Sequence, residues 1–411
     1  MLTPPTSTVA LEKNQKNQKK KNQKKKTRDN LRFSLYPFFK LGGWMLFWLV
    51  AIDVAINVLF PYPQSPTQQG SSLEDYFEHG RSIEGKLHRM VGDTVEDSAP
   101  IIDAGWVDSA GWRSQPTALE GDDDLFVASY GMSFSDYASL ALAEADGKIT
   151  LRSIGGPSAP VSHSFSMFMA DEAGSQADFV IMGVLASSVK RTNSMSGIRW
   201  TSQHPAPHLY PYYNVSAQGE ISAVEPVIKT ARDYVQAFNQ QDDIWQQQLS
   251  QLEQYDDSFD RFLFYDSLSD RSAIVRLIRA GWAKQGSAYT EEGLYDSVTG
   301  FDPNAPEIKT MTALLKEFSA TAAERGQVPI ILLINDQGYR SDLYEVLSPR
   351  LADVDGYVLS THSIVSPEDP ANFISDGHFT TEANRKVGEA LRVLIRQGSP
   401  NAFSSAFSDA P

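Results

Sequence analysis

The run Leu125-Phe126-Val127-Ala128-Ser129-Tyr130, continued by Gly131-Met132-Ser133-Phe134-Ser135-Asp136, decides how this chain is organised. Its first six residues are mostly apolar and do not alternate with polar ones, which predicts a short strand buried on both faces. A glycine and small polar residues end the strand, and helical spacing then runs to about residue 145. We therefore expect a strand that leads directly into a helix.

The same alternation returns along the chain and predicts an α/β fold. Further buried strands are expected at 149–154, 179–185, 328–335 and 357–359, with helices at about 164–173, 307–325, 341–351 and 381–396. Continuous apolar strands alternating with helices indicate a parallel sheet covered by helices on both faces, a three-layer α/β/α domain. Residues 190–300 interrupt this order, and we interpret them as a helical insertion or lid on the sheet.

Composition excludes several classes of site. The 411 residues include no cysteine, so disulfides, thiolate zinc sites and cysteine nucleophiles are ruled out. No His or carboxylate spacing is typical of a metal site, and we predict neither a metal nor a cofactor. Residues 1–40 carry 11 Lys/Arg against two acids, whereas the remainder carries 25 against 49. The acidic remainder would repel phosphates, so a nucleic-acid partner is not expected.

Residues 41–60 (LGGWMLFWLVAIDVAINVLF) predict a single transmembrane helix. Their number matches the ~20 residues that cross a bilayer, and the basic flank places residues 1–40 in the cytoplasm. With no cleavage site after it, the segment is expected to be an uncleaved signal anchor. This predicts an inner-membrane protein whose C-terminal domain is periplasmic. Asp53 and Asn57 share one helix face and suggest pairing with a membrane partner protein.

The expected organisation is therefore a series of unlike segments: a basic cytoplasmic tail (1–40), the anchor (41–60), a linker and membrane-proximal helical region (61–123), the α/β domain (124–398, with the insertion at 190–300), and a tail (399–411).

A candidate catalytic set lies at the expected strand ends. Ligands of open parallel sheets bind beyond the carboxyl ends of the strands, and Ser133, Gly155/Gly156 and the Asp376-Gly377-His378 turn all follow strands. Acyl transfer needs a hydroxyl nucleophile, a base and donors for an oxyanion. We predict Ser133 as nucleophile, His378 as base, Asp376 as its orienting acid, and the N–H groups of Ser133 and Gly155 or Gly156 as oxyanion donors. The alternative is a helix-capping serine and an ordinary capping turn.

Other polar residues are weaker candidates for the same edge of the sheet. Asn335 follows the fourth strand and is predicted to line the pocket, the alternative being a simple turn. His163, near the Gly-Gly loop, is predicted to be a structural or substrate-side residue.

Gly-x-Ser-x-Ser after the first strand, Gly after the second and Asp-x-His before the last helix resemble the SGNH/GDSL hydrolase superfamily. The chain looks closest to the membrane-anchored O-acetyltransferases and esterases of bacterial envelope polysaccharides, of the alginate O-acetyltransferase type. The resemblance covers about 125–190 and 305–396 and implies an SGNH-like (flavodoxin-like) fold. Residues 183–188 lack the family's third-block Asn, so the third oxyanion donor stays open among Ser187, Ser188 and Asn193.

Together these features predict an extracytoplasmic serine esterase or O-acetyltransferase that uses an acylated carbohydrate or another acyl donor. The alternative is a non-catalytic SGNH-like module that binds a glycan or a protein in an envelope export complex.

Overall fold

The computed structural model describes residues 39–61, 71–91, 114–156, 159–196, 209–257 and 259–397. The strands are β1 (Leu125–Met132), β2 (Ile149–Gly156), β3 (Phe179–Leu185), β4 (Tyr212–Val215), β5 (Ile221–Val224), β6 (Tyr295–Asp296), β7 (Gly300–Phe301), β8 (Val328–Ile334) and β9 (Tyr357–Ser360). The helices are α1 (Phe39–Leu59), α2 (Ser72–Glu78), α3 (Ile83–Val91), α4 (Ser133–Ala145), α5 (Val161–Ala170), α6 (Ala231–Gln240), α7 (Asp243–Tyr255), α8 (Arg261–Phe264), α9 (Ala273–Glu292), α10 (Pro306–Glu324), α11 (Asp342–Leu347) and α12 (Thr381–Gln397).

A parallel five-stranded sheet in the order β2-β1-β3-β8-β9 forms the centre of the described α/β part. Successive residues of a strand point to opposite faces. Val127 accordingly packs with α4 and α12, while Phe126 and Ala128 pack with α5, α10 and α11. The sheet is therefore buried on both sides, and the predicted three-layer α/β fold is confirmed.

The predicted strands and helices of this sheet form within a few residues of their expected positions. β1 and β2 each extend two residues further than predicted, and α5 begins at Val161 rather than near 164. Thr380 is the N-cap of α12, because its hydroxyl accepts a hydrogen bond from the backbone N–H of Ala383 at 3.2 Å. The predicted tail at 399–411 lies outside the described residues.

The insertion differs from the purely helical region that the sequence predicts. It contains the antiparallel hairpin β4–β5 as well as α6 to α9. The described part of the membrane-proximal region forms two helices, α2 and α3, with a break at residues 79–82. Ile83 and Leu87 of α3 pack against Phe238 and Trp245 of the insertion, so α3 and the insertion share one hydrophobic core, separate from those on either side of the sheet.

α1 is the apolar helix that the sequence predicts as the membrane span. It has 21 residues, and an 18-residue window within it has a mean hydropathy of 1.8, so the helix is long and apolar enough to cross a bilayer. The protein thus contains one candidate membrane span in the part of the chain that the structure describes.

Candidate active site

Ser133, His378 and Asp376 lie together at the carboxyl edge of the sheet, although 245 residues separate the serine from the histidine. Ser133 Oγ is 2.7 Å from His378 Nε2. On the other side of the ring, His378 Nδ1 is 3.1 Å from Asp376 Oδ1. A hydroxyl, an imidazole and a carboxylate therefore form a continuous hydrogen-bonded chain.

Ser133 is the first residue of α4, directly after β1. The preceding residue, Met132, is the extended N-cap (φ −113°, ψ −175°), and no side chain caps the helix start. The hydroxyl of Ser133 is therefore not used as a helix cap, which was the alternative for this residue. N–H groups in the first turn of a helix have no acceptor within the helix, so the backbone N–H of Ser133 is available at the positive end of α4.

The loop that carries Asp376 and His378 is closed by its own backbone hydrogen bonds. Gly377 has a φ of +89°, a conformation that favours glycine, and its N–H donates to the Ile374 carbonyl at 3.0 Å. The N–H of Ile374 in turn donates to the carbonyl of His378 at 2.8 Å. Phe373 and Phe379 pair as an antiparallel bridge at the base of the loop. The backbone thus presents the acid and the imidazole from one tight turn.

Two aromatic rings of α4 hold the imidazole, and sequence reasoning did not identify them. Phe134 stacks on His378 with ring centroids 4.9 Å apart and planes at 23°. Tyr137 meets the same imidazole edge-on at 5.7 Å. Both belong to the segment that begins at Ser133, but an aromatic residue at a helix start is equally typical of an ordinary core. Their contacts restrict the ring to the orientation that faces Ser133.

Asp376 remains ionised near neutral pH, which suits it to orient an imidazole. Its Oδ1 accepts hydrogen bonds from the backbone N–H of His378 at 3.1 Å and from Nδ1–H of the same residue. These bonds, the backbone one first, hold the pKa of the Asp376 carboxyl below its usual value. An Nδ1–H that points at Asp376 leaves Nε2 as the acceptor for the Ser133 hydroxyl. The side chain of Asp376 is 62% exposed, so this acid faces solvent.

Gly155 and Gly156 lie on β2 beside the residues that precede Ser133. In the register of the sheet, Gly155 is opposite Gly131 and Gly156 is opposite Met132. A Cβ placed on Gly155 would lie 3.1 Å from the Cβ of Asp136, so a side chain there would crowd the first turn of α4. The backbone of Gly155 therefore lies close to the first turn of α4 and is partly exposed, whereas Gly156 is buried.

Two further glycines allow α4 to start close to the sheet. Gly131 of β1 and Gly183 of β3 both face Ser135, and a Cβ placed on either would lie 2.6 Å from the Cβ of Ser135. Carbon atoms that are not bonded normally approach to about 3.5–4.0 Å. The position of the first turn of α4, and with it that of Ser133, thus depends on these two glycines.

The weaker candidates are buried away from solvent. The hydroxyl of Ser188 donates to the Leu185 carbonyl at 2.7 Å, which leaves its proton unavailable to an oxyanion. Asn335 is buried, and its amide donates to Ser360 Oγ at 2.9 Å. His163 is buried too and packs edge-on against Tyr210. Burial speaks against substrate contact by these side chains.

A second Ser–His pair lies at the same edge of the sheet and was also missed. Ser360 Oγ, at the end of β9, is 2.7 Å from His362 Nδ1. The ring of His362 packs against Tyr344, and burial lowers the pKa of this imidazole. Ser360 itself is buried. Only the short sequence Ser-Thr-His could have indicated this pair.

Among the residues that the structure describes, no group of three or more His, Asp or Glu side chains could hold a metal ion.

Comparisons with known proteins do not assign the chain to a family. No protein-family model matches the chain, and no curated protein matches it either. A solved structure described as a lipolytic protein of the G-D-S-L family, from Desulfitobacterium hafniense DCB-2, aligns with 66% of this chain and 98% of its own length. The sequence identity is 12% and the TM-score is 0.30. A likeness at that level assigns neither a family nor an activity, and the alginate O-acetyltransferase type has no support from these comparisons.

Proposed function

We propose that the protein is a membrane-anchored serine esterase or O-acyltransferase with Ser133 as its nucleophile. The observation that carries this proposal is the 2.7 Å distance between Ser133 Oγ and His378 Nε2, with Asp376 on the far side of the ring. Nucleophile, base and orienting acid in that order are the arrangement that activates a serine hydroxyl.

The first half of the reaction forms an acyl-serine. Ser133 Oγ bonds to the acyl carbon of the ester while His378 Nε2 takes the hydroxyl proton, and Asp376 stabilises the imidazolium that results. The bond to the leaving alkoxide then breaks, and His378 returns the proton to that oxygen. In the second half, water or a sugar hydroxyl gives its proton to His378 and bonds to the acyl carbon. Ser133 leaves with the proton that His378 returns.

The oxyanion of each tetrahedral intermediate needs hydrogen-bond donors. The N–H of Ser133 at the start of α4 is one, and the adjacent Gly155 and Gly156 on β2 offer backbone N–H groups as the second. Ser188 is not retained as a donor, because its hydroxyl is engaged by Leu185.

The substrate class follows from the anchor. α1 would hold the α/β domain at a membrane, and the basic residues 1–40 favour a cytoplasmic N-terminus with the domain in the periplasm. The acyl donors and acceptors in reach there include the esters of envelope carbohydrates, and we propose these as substrates. The resemblance of the sequence motifs to envelope O-acetyltransferases supports the same class.

The test uses the full-length protein in detergent, with an aryl acetate as substrate and a fluorophosphonate probe for the nucleophile. We expect turnover and labelling in the wild type, and Ser133→Ala to lose both. Ser360→Ala is the matched control, since it removes the other serine that lies 2.7 Å from a histidine. It should keep both activities, because Ser360 is buried.

Mass spectrometry of the labelled protein gives an independent answer, with the adduct expected on the peptide that contains Ser133. A folded wild type that neither turns over an acyl donor nor reacts with the probe would refute the enzyme. It would favour the alternative, a module that binds a glycan or a protein without catalysis.

A further inference from the structure

Helix α9 has the opposite polarity to a helix on the surface of a water-soluble protein. In the first half of α9, Arg276 and Arg279 face inward and are buried, at 0% and 2% exposed. Its apolar side chains Ile278 and Trp282 face outward and are 60% and 53% exposed. Soluble helices normally bury the apolar stripe and expose the charges. The outward face of α9 is therefore suited to an apolar surrounding.

Both buried arginines have ion-pair partners within the protein. Arg276 lies 3.2 Å from Glu78 and donates to the carbonyl oxygens of Phe77 at 3.0 Å and Asp270 at 2.7 Å. Arg279 pairs with the carboxylate of Asp270. A buried charge is tolerated when a partner and hydrogen bonds satisfy it. The inward face of α9 thus contacts α2 through Arg276.

The start of α9 is also bonded to the candidate membrane span. Asp53 Oδ1 of α1 accepts hydrogen bonds from Ser272 Oγ and from the N–H of Ile274, both at 2.9 Å. Asn57 accepts a bond from Arg276 at 3.1 Å. Asp53 and Asn57, which the sequence suggested as contacts to a separate membrane partner, therefore form hydrogen bonds within this chain.

These bonds determine the depth of α9 relative to α1. A helix of 21 residues is about 31 Å long, close to the ~30 Å thickness of the hydrocarbon layer. If Asp53 and the residues after it stood above the bilayer, only the 14 residues of α1 before Asp53 would be left in it. Those residues span about 21 Å, which is less than the ~30 Å thickness of the hydrocarbon layer. Asp53 must then lie about 9 Å below the end of α1 at Leu59. The first turn of α9, bonded to Asp53, lies at that same depth.

We propose that α9 lies in the boundary of the outer leaflet and that its outward face contacts lipid acyl chains. Ile278 and the neighbouring Leu268, 79% exposed, would face the chains. Trp282 would lie higher, at the headgroups, where its indole N–H donates to Asp260 at 3.0 Å. Lys284 follows at the same level, where a long cationic side chain reaches the headgroups. The inference rests on the proposed anchor, but it adds a second contact of the protein with the membrane.

The test exploits the absence of cysteine from the chain. Single cysteines replace Leu268, Ile278, Leu49 of α1 and the exposed Leu140 of α4, one per variant, and each carries an environment-sensitive NBD fluorophore. The full-length variants are reconstituted in vesicles of phosphatidylethanolamine and phosphatidylglycerol, with and without nitroxide-labelled lipid. All four leucine and isoleucine sites are exposed in the protein itself, so labelling does not disturb a core.

We expect blue-shifted emission and strong loss of fluorescence with nitroxide lipid at positions 49, 268 and 278, and neither effect at position 140. Water-like emission at 268 and 278, with position 49 in lipid, would overturn the inference while leaving the anchor intact. Water-like emission at position 49 as well would refute the anchor, and the inference with it. Circular dichroism of each variant confirms that it is folded.

Discussion

Replacing Gly183 by alanine tests whether the two-glycine contact with Ser135 positions Ser133, the proposed nucleophile. The new Cβ would lie 2.6 Å from the Cβ of Ser135, whereas its contact with Ile334 at 3.6 Å is ordinary. The only crowded neighbour is therefore Ser135, in the first turn of α4. Because a Cβ cannot move without its backbone, the start of the helix has to shift.

The size of the effect follows from the distances. Restoring a carbon–carbon distance of about 3.5 Å requires a shift of about 1 Å. Ser133 lies in the same turn as Ser135 and would move with it. A misplacement of about 1 Å at a reacting group lowers the rate by about 10²-fold. Overpacking of this kind also lowers the free energy of unfolding by about 1–3 kcal/mol.

The assay measures aryl acetate turnover and urea unfolding for Gly183→Ala, Ser135→Gly and the double variant. Ser135→Gly removes the atom that the new methyl would meet, at a cost of about 0.5–1 kcal/mol for glycine in a helix. We expect Gly183→Ala to be slow and less stable. The double variant should regain most of the rate and be no less stable than Ser135→Gly alone. The coupling between the two sites would then be about 1–3 kcal/mol.

Two results would refute this reasoning. One is a Gly183→Ala variant with the turnover and stability of the wild type, which would mean that the first turn of α4 has room to spare. The other is a double variant as slow as Gly183→Ala, which would show that Ser135 is not the residue that transmits the shift.

The remaining predictions concern stability. Asp171→Ala removes the carboxylate that the buried Arg152 and Tyr130 share, and it should lower the free energy of unfolding, measured in urea, by about 3–5 kcal/mol. Asp122→Ala, at an exposed position, is the control and should change that free energy little. Equal effects of the two substitutions would contradict this prediction. Gly80→Ala places a Cβ 2.5 Å from the carbonyl carbon of Arg276 in α9 and should lower the free energy of unfolding by about 1–3 kcal/mol. Gly147→Ala is the control, because a Cβ there has no neighbour within 4 Å. Equal stability of the two variants would argue against a tight contact between Gly80 and α9. Burial lowers the pKa of Lys86 from 10.5 to about 7. Between these two pH values the unfolded chain binds a proton at Lys86 that the folded chain lacks. The free energy of unfolding therefore rises with pH, by about 1 kcal/mol per pH unit. Lys86→Met should remove that part of the slope in urea unfolding at a series of pH values, and parallel curves for variant and wild type would count against the assigned pKa.

The sheet was predictable because its strands are buried on both faces. A strand such as β8 (VPIILLI) has no alternation to confuse with a helix, and it is bounded by clear turn residues. The order of Ser133, the glycines and the Asp-Gly-His turn along the chain then placed these residues at one edge of a parallel sheet. Their expected proximity needed no knowledge of side-chain geometry.

The insertion was less predictable because its packing partners come from distant parts of the chain. The hairpin β4–β5 is short, and only Tyr213 in it is buried, so its apolar pattern is weak. The break between α2 and α3 lies at Gly80, whose close approach to α9 is a tertiary contact. α9 itself has its arginines inside, a polarity that pattern rules for soluble helices assign to the wrong face.

In the candidate site, too, residue type could be read from the sequence, whereas the burial and the contacts of each residue could not. Sequence reasoning proposed reactive groups from residue type and position, but it could not tell an exposed polar side chain from a buried one. Asn335 and Ser188 both follow strands, and both are engaged by neighbours beneath the edge of the sheet. Phe134 was missed for the opposite reason, since its role comes only from stacking on a ring 244 positions further along the chain.

The separation of Ser133 and His378 along the chain has a consequence in time. During synthesis the serine leaves the ribosome 245 residues before the histidine. At about 5–20 residues per second, that interval lasts roughly 12–50 s. The residues of β1 and α4 are present throughout it without the turn that carries His378. A growing chain therefore cannot perform the proposed chemistry on whatever it meets, and reactivity begins only when α12 docks against α4.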